Sequence, residues 1–299
     1  MSAAARILLG ALLALALFYI ARWFALERGR ADGRAITGLM HPAVGFVTNF
    51  FDTLGIGSFA PTTSIFKLFR LVPDERIPGT LNAGHALPTC TQALIFIAVV
   101  NVDPTTLVAM IGAAVLGAFM GAGVVARLSR LAIQVGMGVA LLVAALLFLL
   151  GNLKLIPSGG DALALHGATL AIAVGANFLL GALMTLGVGL YAPCLILVSL
   201  LGLNPIAAFP IMMGSCAFLM PVAGLRFIAN RRYDRRAALG LTLGGVPGVL
   251  IAAFLVKQMP LLWLRWLVVL VVLYASVTML RAARARPGPG SGEPIRGTD

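Results

Sequence analysis

The chain has 299 residues, of which 60% are hydrophobic and 11% charged, with 34 glycines and a mean hydropathy of +1.02. So much aliphatic surface cannot be hidden in one or two water-soluble domains, which excludes a soluble enzyme and makes the bilayer the solvent. The net charge of +12 does not point to nucleic acid, because the basic residues lie between apolar runs, where the positive-inside rule places them on the cytoplasmic side of a membrane.

The first apolar run, from Ile7 to about Leu26, is followed by Arg28, Arg30 and Arg34, which orients its C-terminal end inward. It reads as an uncleaved helix, since no small-x-small cleavage site precedes Arg22. Further runs follow at 38–71, 79–100, 105–126, 131–150, 163–201, 206–229, 237–257 and 262–281, most of them near the ~20 residues needed to cross ~30 Å of hydrocarbon. Short polar connections separate them, such as Val72-Pro73-Asp74-Glu75-Arg76 and Arg231-Arg232-Tyr233-Asp234-Arg235-Arg236. With the second of these placed inside, Arg127 and Arg130 fall outside, against the charge rule. Residues 286–299 are too polar to fold and read as a disordered tail. The predicted organisation is an N-terminal transmembrane helix and basic loop (1–34), two four-helix repeats (35–151 and 152–285) and that tail. Cys90, Cys194 and Cys216 lack CxxC spacing and are expected to be free thiols.

The repeat is visible in the residues. Thr53-Leu54-Gly55-Ile56-Gly57-Ser58-Phe59-Ala60-Pro61 matches Thr185-Leu186-Gly187-Val188-Gly189-Leu190-Tyr191-Ala192-Pro193 at a shift of 132, and Pro73 and Pro78 fall on Pro205 and Pro210. With the register changed by one residue, Asp103 meets Asp234 and Gly117 meets Gly248. Four spans per repeat is an even number, so both halves are expected to share one orientation, related by an axis near the membrane normal. Each nonamer interrupts a run too long for a simple span. The predicted device is a broken helix, with glycines leaving helical geometry and a new helix starting at Pro61 or Pro193. Its free N–H groups and positive dipole end at membrane depth suit an anion. Close helix packing through small residues is the structural alternative.

Two such repeats, with Leu54-Gly55-Ile56-Gly57 through Pro61, Leu186-Gly187-Val188-Gly189 through Pro193, and Asn204-Pro205-Ile206-Ala207-Ala208-Phe209-Pro210 opening the next helix, resemble the TauE/SafE family of sulfite-exporter-like transporters. The resemblance covers residues 38–281. It implies secondary transport of small anions, chiefly sulfite, organosulfonates or related sulfur compounds, across the bacterial inner membrane. Ser58 and Leu190 stand where many members carry further glycine.

Ionisable and polar residues inside apolar runs are functional candidates because they are costly there. Asn49 and Asp52 are three residues apart and share a helical face, as are Asn82 and His85. Asn, His and Thr donors suit a small oxyanion, and His is the common proton-coupling group. For His85 a hydrogen-bonded structural role weighs more heavily. Cys194 reads either as a contact for a sulfur compound or as a small apolar packer. Arg226 reads as a snorkelling side chain in preference to an anion attractor.

The sequence therefore predicts an all-α polytopic transporter of a small anion. The substrate-binding candidates are Gly55, Gly57, Ser58, Pro61, Thr62, Asn82, His85, Gly187, Gly189, Pro193, Cys194 and Ser215. Asp52 and His85 are the candidates for coupling to an ion such as H+. No cofactor, metal, catalytic set or nucleic-acid partner is expected, since zinc, nucleophile-elbow and phosphate-loop motifs are missing from the chain. An anion channel, or an intramembrane enzyme using Asp52 and His85, are the alternatives.

Overall fold

The computed structural model describes residues 2–28, 38–125, scattered positions from 135 to 155, 160–184, 190–258 and 261–284. Those residues form eleven named helices: α1 (Ala3–Glu27), α2 (Met40–Thr53), α3 (Phe59–Leu68), α4 (Ile77–Gly84), α5 (Ala86–Val99), α6 (Pro104–Val125), α7 (Gly167–Met184), α8 (Tyr191–Leu200), α9 (Pro205–Ala229), α10 (Arg235–Gln258) and α11 (Leu261–Arg284). A short 3-10 turn, Asp74–Arg76, precedes α4. The one β feature among the described residues is an isolated bridge, Ala162 to Leu203. Four helices, α1, α7, α9 and the Arg235–Leu255 part of α10, are long and apolar enough to cross a membrane by themselves. The chain is an all-α multi-pass membrane protein.

The glycine breaks do more than interrupt a span. Gly55 and Gly57 take φ of +96° and +86°, a left-handed backbone that only glycine adopts cheaply. There the chain reverses, so that α3 returns beside α2. The His41 ring, at the start of α2, lies 6.3 Å from that of Phe66 near the end of α3. Val44 and Phe66 share a small core with Ile77 and Leu241. The second half repeats this arrangement. Ala162, ahead of α7, accepts from the Asn204 N–H and donates to Gly202 just after α8. Each pair, α2–α3 and α7–α8, is a re-entrant hairpin with both ends on one side.

Equivalent caps close the two hairpins. Arg70 (φ 51°) and Gly202 (φ +94°) follow α3 and α8 in left-handed conformation. The next residue then donates back into the helix, Leu71 to the Phe66 carbonyl and Leu203 to the Val198 carbonyl, both at 2.9 Å. All three pairs are related by the shift of 132. The new helices begin at Phe59 and Tyr191, two residues before the expected prolines. Pro61 and Pro193 are each the third residue of their helix, where the missing N–H has no intrahelical partner to lose.

The hairpins enter from opposite sides. Around the first, Asp234 N–H donates to Thr80 Oγ1 at 2.8 Å, and Tyr233 OH donates to Glu27 at the end of α1. Around the second, Asp103 N–H donates to the Leu163 carbonyl at 2.8 Å. The α4–α5 unit runs from the base of the first hairpin, at Thr80, to the base of the second, at Asp103, so the two hairpins open at opposite ends of it. The two halves are consequently inverted, which corrects the parallel arrangement expected from counting four spans. The charges agree with this correction. α6 ends at Val125 on the side that carries Arg28 and the Arg231–Arg236 loop, and Arg127 and Arg130 follow directly, although they lie outside the described residues. By the charge rule this is the cytoplasmic side.

Each hairpin packs on the other half of the chain. α2 runs along α10, and α7 along α6. A Cβ at Gly248 would strike the Phe46 carbonyl, and one at Gly117 the Phe178 carbonyl. Gly45 lies against Leu241 and its counterpart Asn177 donates to the Met110 carbonyl at 2.7 Å. Asp234 and Asp103 cap α10 and α6, accepting from Ala237 and Thr106 N–H groups. These contacts pair residues that the sequence shift relates.

α1 lies against α9 and α5. Its Tyr19 hydroxyl donates to the Ala83 carbonyl at 2.8 Å, and Trp23 Nε1 donates to the Tyr233 hydroxyl at 3.2 Å. Arg235 pairs with Glu27 at 3.1 Å, which ties the end of α1 to the start of α10. All three cysteines are free and buried. The tail, 286–299, lies outside the described residues.

Candidate functional site

The ten residues of α3 rise ~15 Å from one side, and the ten of α8 the same distance from the other. Together that is about the thickness of the hydrocarbon, so the tips meet near its middle. The residue that joins them is Gln92, fully buried on α5. Its amide Nε2 donates to Asp52 Oδ2 at 2.8 Å and to Thr53 Oγ1 at 2.9 Å on the first tip. Its Oε1 accepts from the Tyr191 hydroxyl at 2.7 Å on the second. Both N–H groups and one lone pair of that amide are used by this network, which fixes its orientation.

Asp52 ends α2 at 2% exposure. Beside Gln92, the Ser58 hydroxyl and backbone N–H face its carboxyl, and among the described residues no basic side chain pairs with it. The basic residues that follow Asp52 in the chain, Lys67 at the end of α3 and Arg76 before α4, sit on the cytoplasmic side, a helix length away. Gly55 places the first tip against Leu195, Phe209 and Met212 of the second half, whereas a Cβ at Gly57 would meet open space.

His85 occupies the joint between α4 and α5. Pro88, three residues on, cannot donate to the Gly84 carbonyl and its ring would clash with it in a straight helix. Thr242 Oγ1 takes over that carbonyl at 2.8 Å. His85 Nδ1 lies 2.9 Å from Asn49 Nδ2, and Nε2 lies 3.1 Å from Thr62 Oγ1. Asn49 Nδ2 also donates to the Gly45 carbonyl, and Asn49 Oδ1 lies 3.1 Å from the same Nδ1, so the tautomer of the ring sets whether Nδ1 accepts from the amide or donates to it. The imidazole thus clasps α2 to α3. Both ring nitrogens are engaged by the protein itself.

The other sequence candidates separate into groups. Gly55, Gly57, Ser58, Pro61 and Thr62 surround the first tip, and Pro193 and Cys194 lie in the first turn of α8 at the second. Cys194 is fully buried in the main core. Gly187 and Gly189 lie outside the described residues. Asn49 and Asp52 do not act as a pair, because one reaches His85 and the other Gln92. Nor does Asn82 join His85: the joint turns it away, and its Nδ2 donates to the Pro78 carbonyl of its own helix. Asn82 instead lines a cavity with Phe119, Met184 and Arg226. Ser215 lies on α9 and meets Asn177 Nδ2 at 3.3 Å. Gln92 and Tyr191 were not among the sequence candidates. A lone glutamine within the apolar 79–100 run was the available signal, since a buried amide needs partners.

Fold and junction together define a polytopic helical membrane protein built around two opposed re-entrant hairpins. The family model described as Sulfite exporter TauE/SafE matches residues 169–298, which covers the second half from α7 onward, and it supports the family indicated by the repeated motif. The second half of the chain is thus similar to a family of membrane transporters. No curated protein and no solved structure matches the chain.

Proposed function

We propose that the protein is a secondary transporter of a small sulfur oxyanion, sulfite or an organosulfonate, across a bacterial inner membrane, with the anion bound where the hairpin tips meet. The observation that carries this reading is the Gln92 junction, where two opposed hairpins converge in mid-membrane. The N-termini of α3 and α8 are directed there, and unpaired backbone N–H groups with aligned peptide dipoles favour negative charge. Open space beside Gly57 offers room next to the first of them. Non-helical backbone at this depth is tolerated only where protein or a cavity surrounds it.

Inverted halves supply a mechanism. Rocking one hairpin with the helix that carries it, α2 with α10 or α7 with α6, exposes the junction to alternate sides as the tips part and rejoin. Such motion must break and remake the Tyr191–Gln92–Asp52 chain, so these hydrogen bonds act as the latch. Asp52 and His85 are assigned to ion coupling. They are the ionisable carboxyl and imidazole at the junction, and a charge on Asp52 finds no counter-charge among the described residues.

The test is transport in proteoliposomes, with sulfite, a sulfonate, thiosulfate, sulfate and a small carboxylate loaded on one side. Saturable movement of a sulfur oxyanion, driven by a proton gradient and lost in Gly57→Trp, is the expected result. Thermal stabilisation of the detergent-purified protein by the same anion checks binding separately. Current without saturation would establish a channel instead, and transport unchanged in Gly57→Trp would remove the site from the first tip.

A further inference from the structure

A cavity of about 90 Å³ lies away from the junction, between α4, α6, α7 and α9. Its wall includes Asn82, Phe119, Gly181, Met184, Ala223 and Arg226, and it has space for several water molecules. One end is set by Arg226, a single turn from the cytoplasmic end of α9. The other is Met184, the last residue of α7, whose sulfur lies 3.5 Å from Cys216 Sγ. The cavity therefore runs inward from the cytoplasmic side to the arm of the second hairpin.

Arg226 and Arg235 mark opposite uses of a guanidinium at this membrane face. Arg235 is neutralised by Glu27 at 3.1 Å. Arg226 instead rests over the Phe119 ring, with 5.6 Å from its central carbon to the ring centroid, and among the described residues no carboxylate pairs with it. Stacking on an aromatic face fixes the plane of the guanidinium while leaving its N–H edge available to an oxyanion. Asn82 uses one of its two amide N–H groups on the Pro78 carbonyl, so it adds at most one neutral donor. Among the described lining residues the rest are apolar, and Arg226 is their one cation.

We propose that this cavity is a cytoplasmic vestibule that binds a small oxyanion, and that Arg226 holds the ion there before it reaches the hairpin tips. The proposal rests on the transporter reading for the identity of the ion, but the binding it describes can be measured without transport.

The full-length protein carrying Ala223→Cys, in membranes opened to the cytoplasmic side, is treated with an anionic and a cationic methanethiosulfonate; the parent protein, with its three cysteines buried, is the blank. The anionic reagent is expected to react faster by roughly tenfold, the scale on which a focused charge raises local ion concentration. Methanesulfonate, which unlike sulfite does not consume the thiosulfonate reagent, should slow that reaction. Arg226→Gln is expected to remove both the preference and the protection, and Arg226→Lys to restore the preference while weakening the protection. Equal rates for the two reagents, or protection unaltered in Arg226→Gln, would overturn the proposal. Protection by phosphatidylglycerol in nanodiscs but not by methanesulfonate would also overturn it, assigning the cavity to a lipid headgroup. If Ala223→Cys does not insert, Val222→Cys reports on the same wall. Loss of transport with the anion preference intact would count against the transporter reading alone, whereas transport unaffected by Arg226→Gln, with no preference, would count against the vestibule alone.

Discussion

The two hairpins share a backbone and differ in chemistry. Both resume a helix two residues before a proline and close with the same left-handed cap. At equivalent positions, however, Asp52 faces Met184, Ser58 faces Leu190 and Thr62 faces Cys194. The first hairpin is bound by polar contacts to His85 and Gln92, and the second is seated in a sulfur-rich apolar core, with Tyr191 reaching Gln92 and Asn177 reaching the Met110 carbonyl and Ser215. Shape was kept where the membrane demands closed hydrogen bonding, and side chains diverged between the two tips. On the transporter reading, the polar hairpin recognises and couples, while the apolar one supplies a smooth surface that moves.

The largest effect should come from the shared part. Gly117→Leu and Gly248→Leu each force a side chain into a backbone carbonyl of the opposite half. Each is expected to destabilise by roughly 3 kcal/mol, the upper end for overpacking, read as a fall in thermal unfolding temperature in detergent. A large effect in one and none in the other would show that the two cross-packings are not mechanically equivalent.

Next in size is the link between the tips. Gln92→Leu leaves the Asp52 carboxyl and the Tyr191 hydroxyl buried without their partner, at about 1–3 kcal/mol for each group. Transport should be lost. Gln92→Glu retains the acceptor for Tyr191 but sets a carboxyl beside Asp52, so it should rescue less when both are ionised. Retained transport in Gln92→Leu would show that the junction is not the latch.

Gly57→Ala probes the first reversal alone. The added Cβ meets open space, so the cost is that of the left-handed backbone, about 1–2 kcal/mol, and stability assays should read that strain without a packing defect. The smallest effects sharpen the contrast between tips. Thr62→Val removes the hydroxyl bonded to His85 and should cost about 1 kcal/mol, with reduced transport. Cys194→Val replaces a small apolar packer by another and should change stability by less than about 1 kcal/mol. Equal losses at the two positions would erase the division between a polar and an apolar hairpin.

Several of these features were legible in the residues. The apolar runs gave the helices, and the Thr53–Pro61 and Thr185–Pro193 nonamers marked both reversals and the shift that now relates Gly117–Phe178 to Gly248–Phe46. The free thiols and the structural engagement of His85 were also readable, because an imidazole inside an apolar run must find hydrogen-bond partners. Less could be read of the junction. Asn82 and His85 share a face only on an unbroken helix, and the Pro88 joint separates them. Gln92 draws its meaning from Asp52 and Tyr191, which lie 40 and 99 residues from it in the chain.

The sequence by itself determined that the chain lives in a membrane, which segments are apolar enough to be helices, and that the backbone must leave helical geometry at Gly55 and Gly57. Hydropathy, glycine and proline act locally, within a turn or two. Whether the chain continues across the bilayer after Gly57 or folds back on itself was decided only by tertiary structure, because a left-handed glycine permits either course. The choice falls to what packs against the arms, α10 against α2 and α6 against α7, from the opposite half of the chain. With the fold-back, the hairpins open at opposite ends of the α4–α5 unit, and Arg28 and the Arg231–Arg236 loop come to one side.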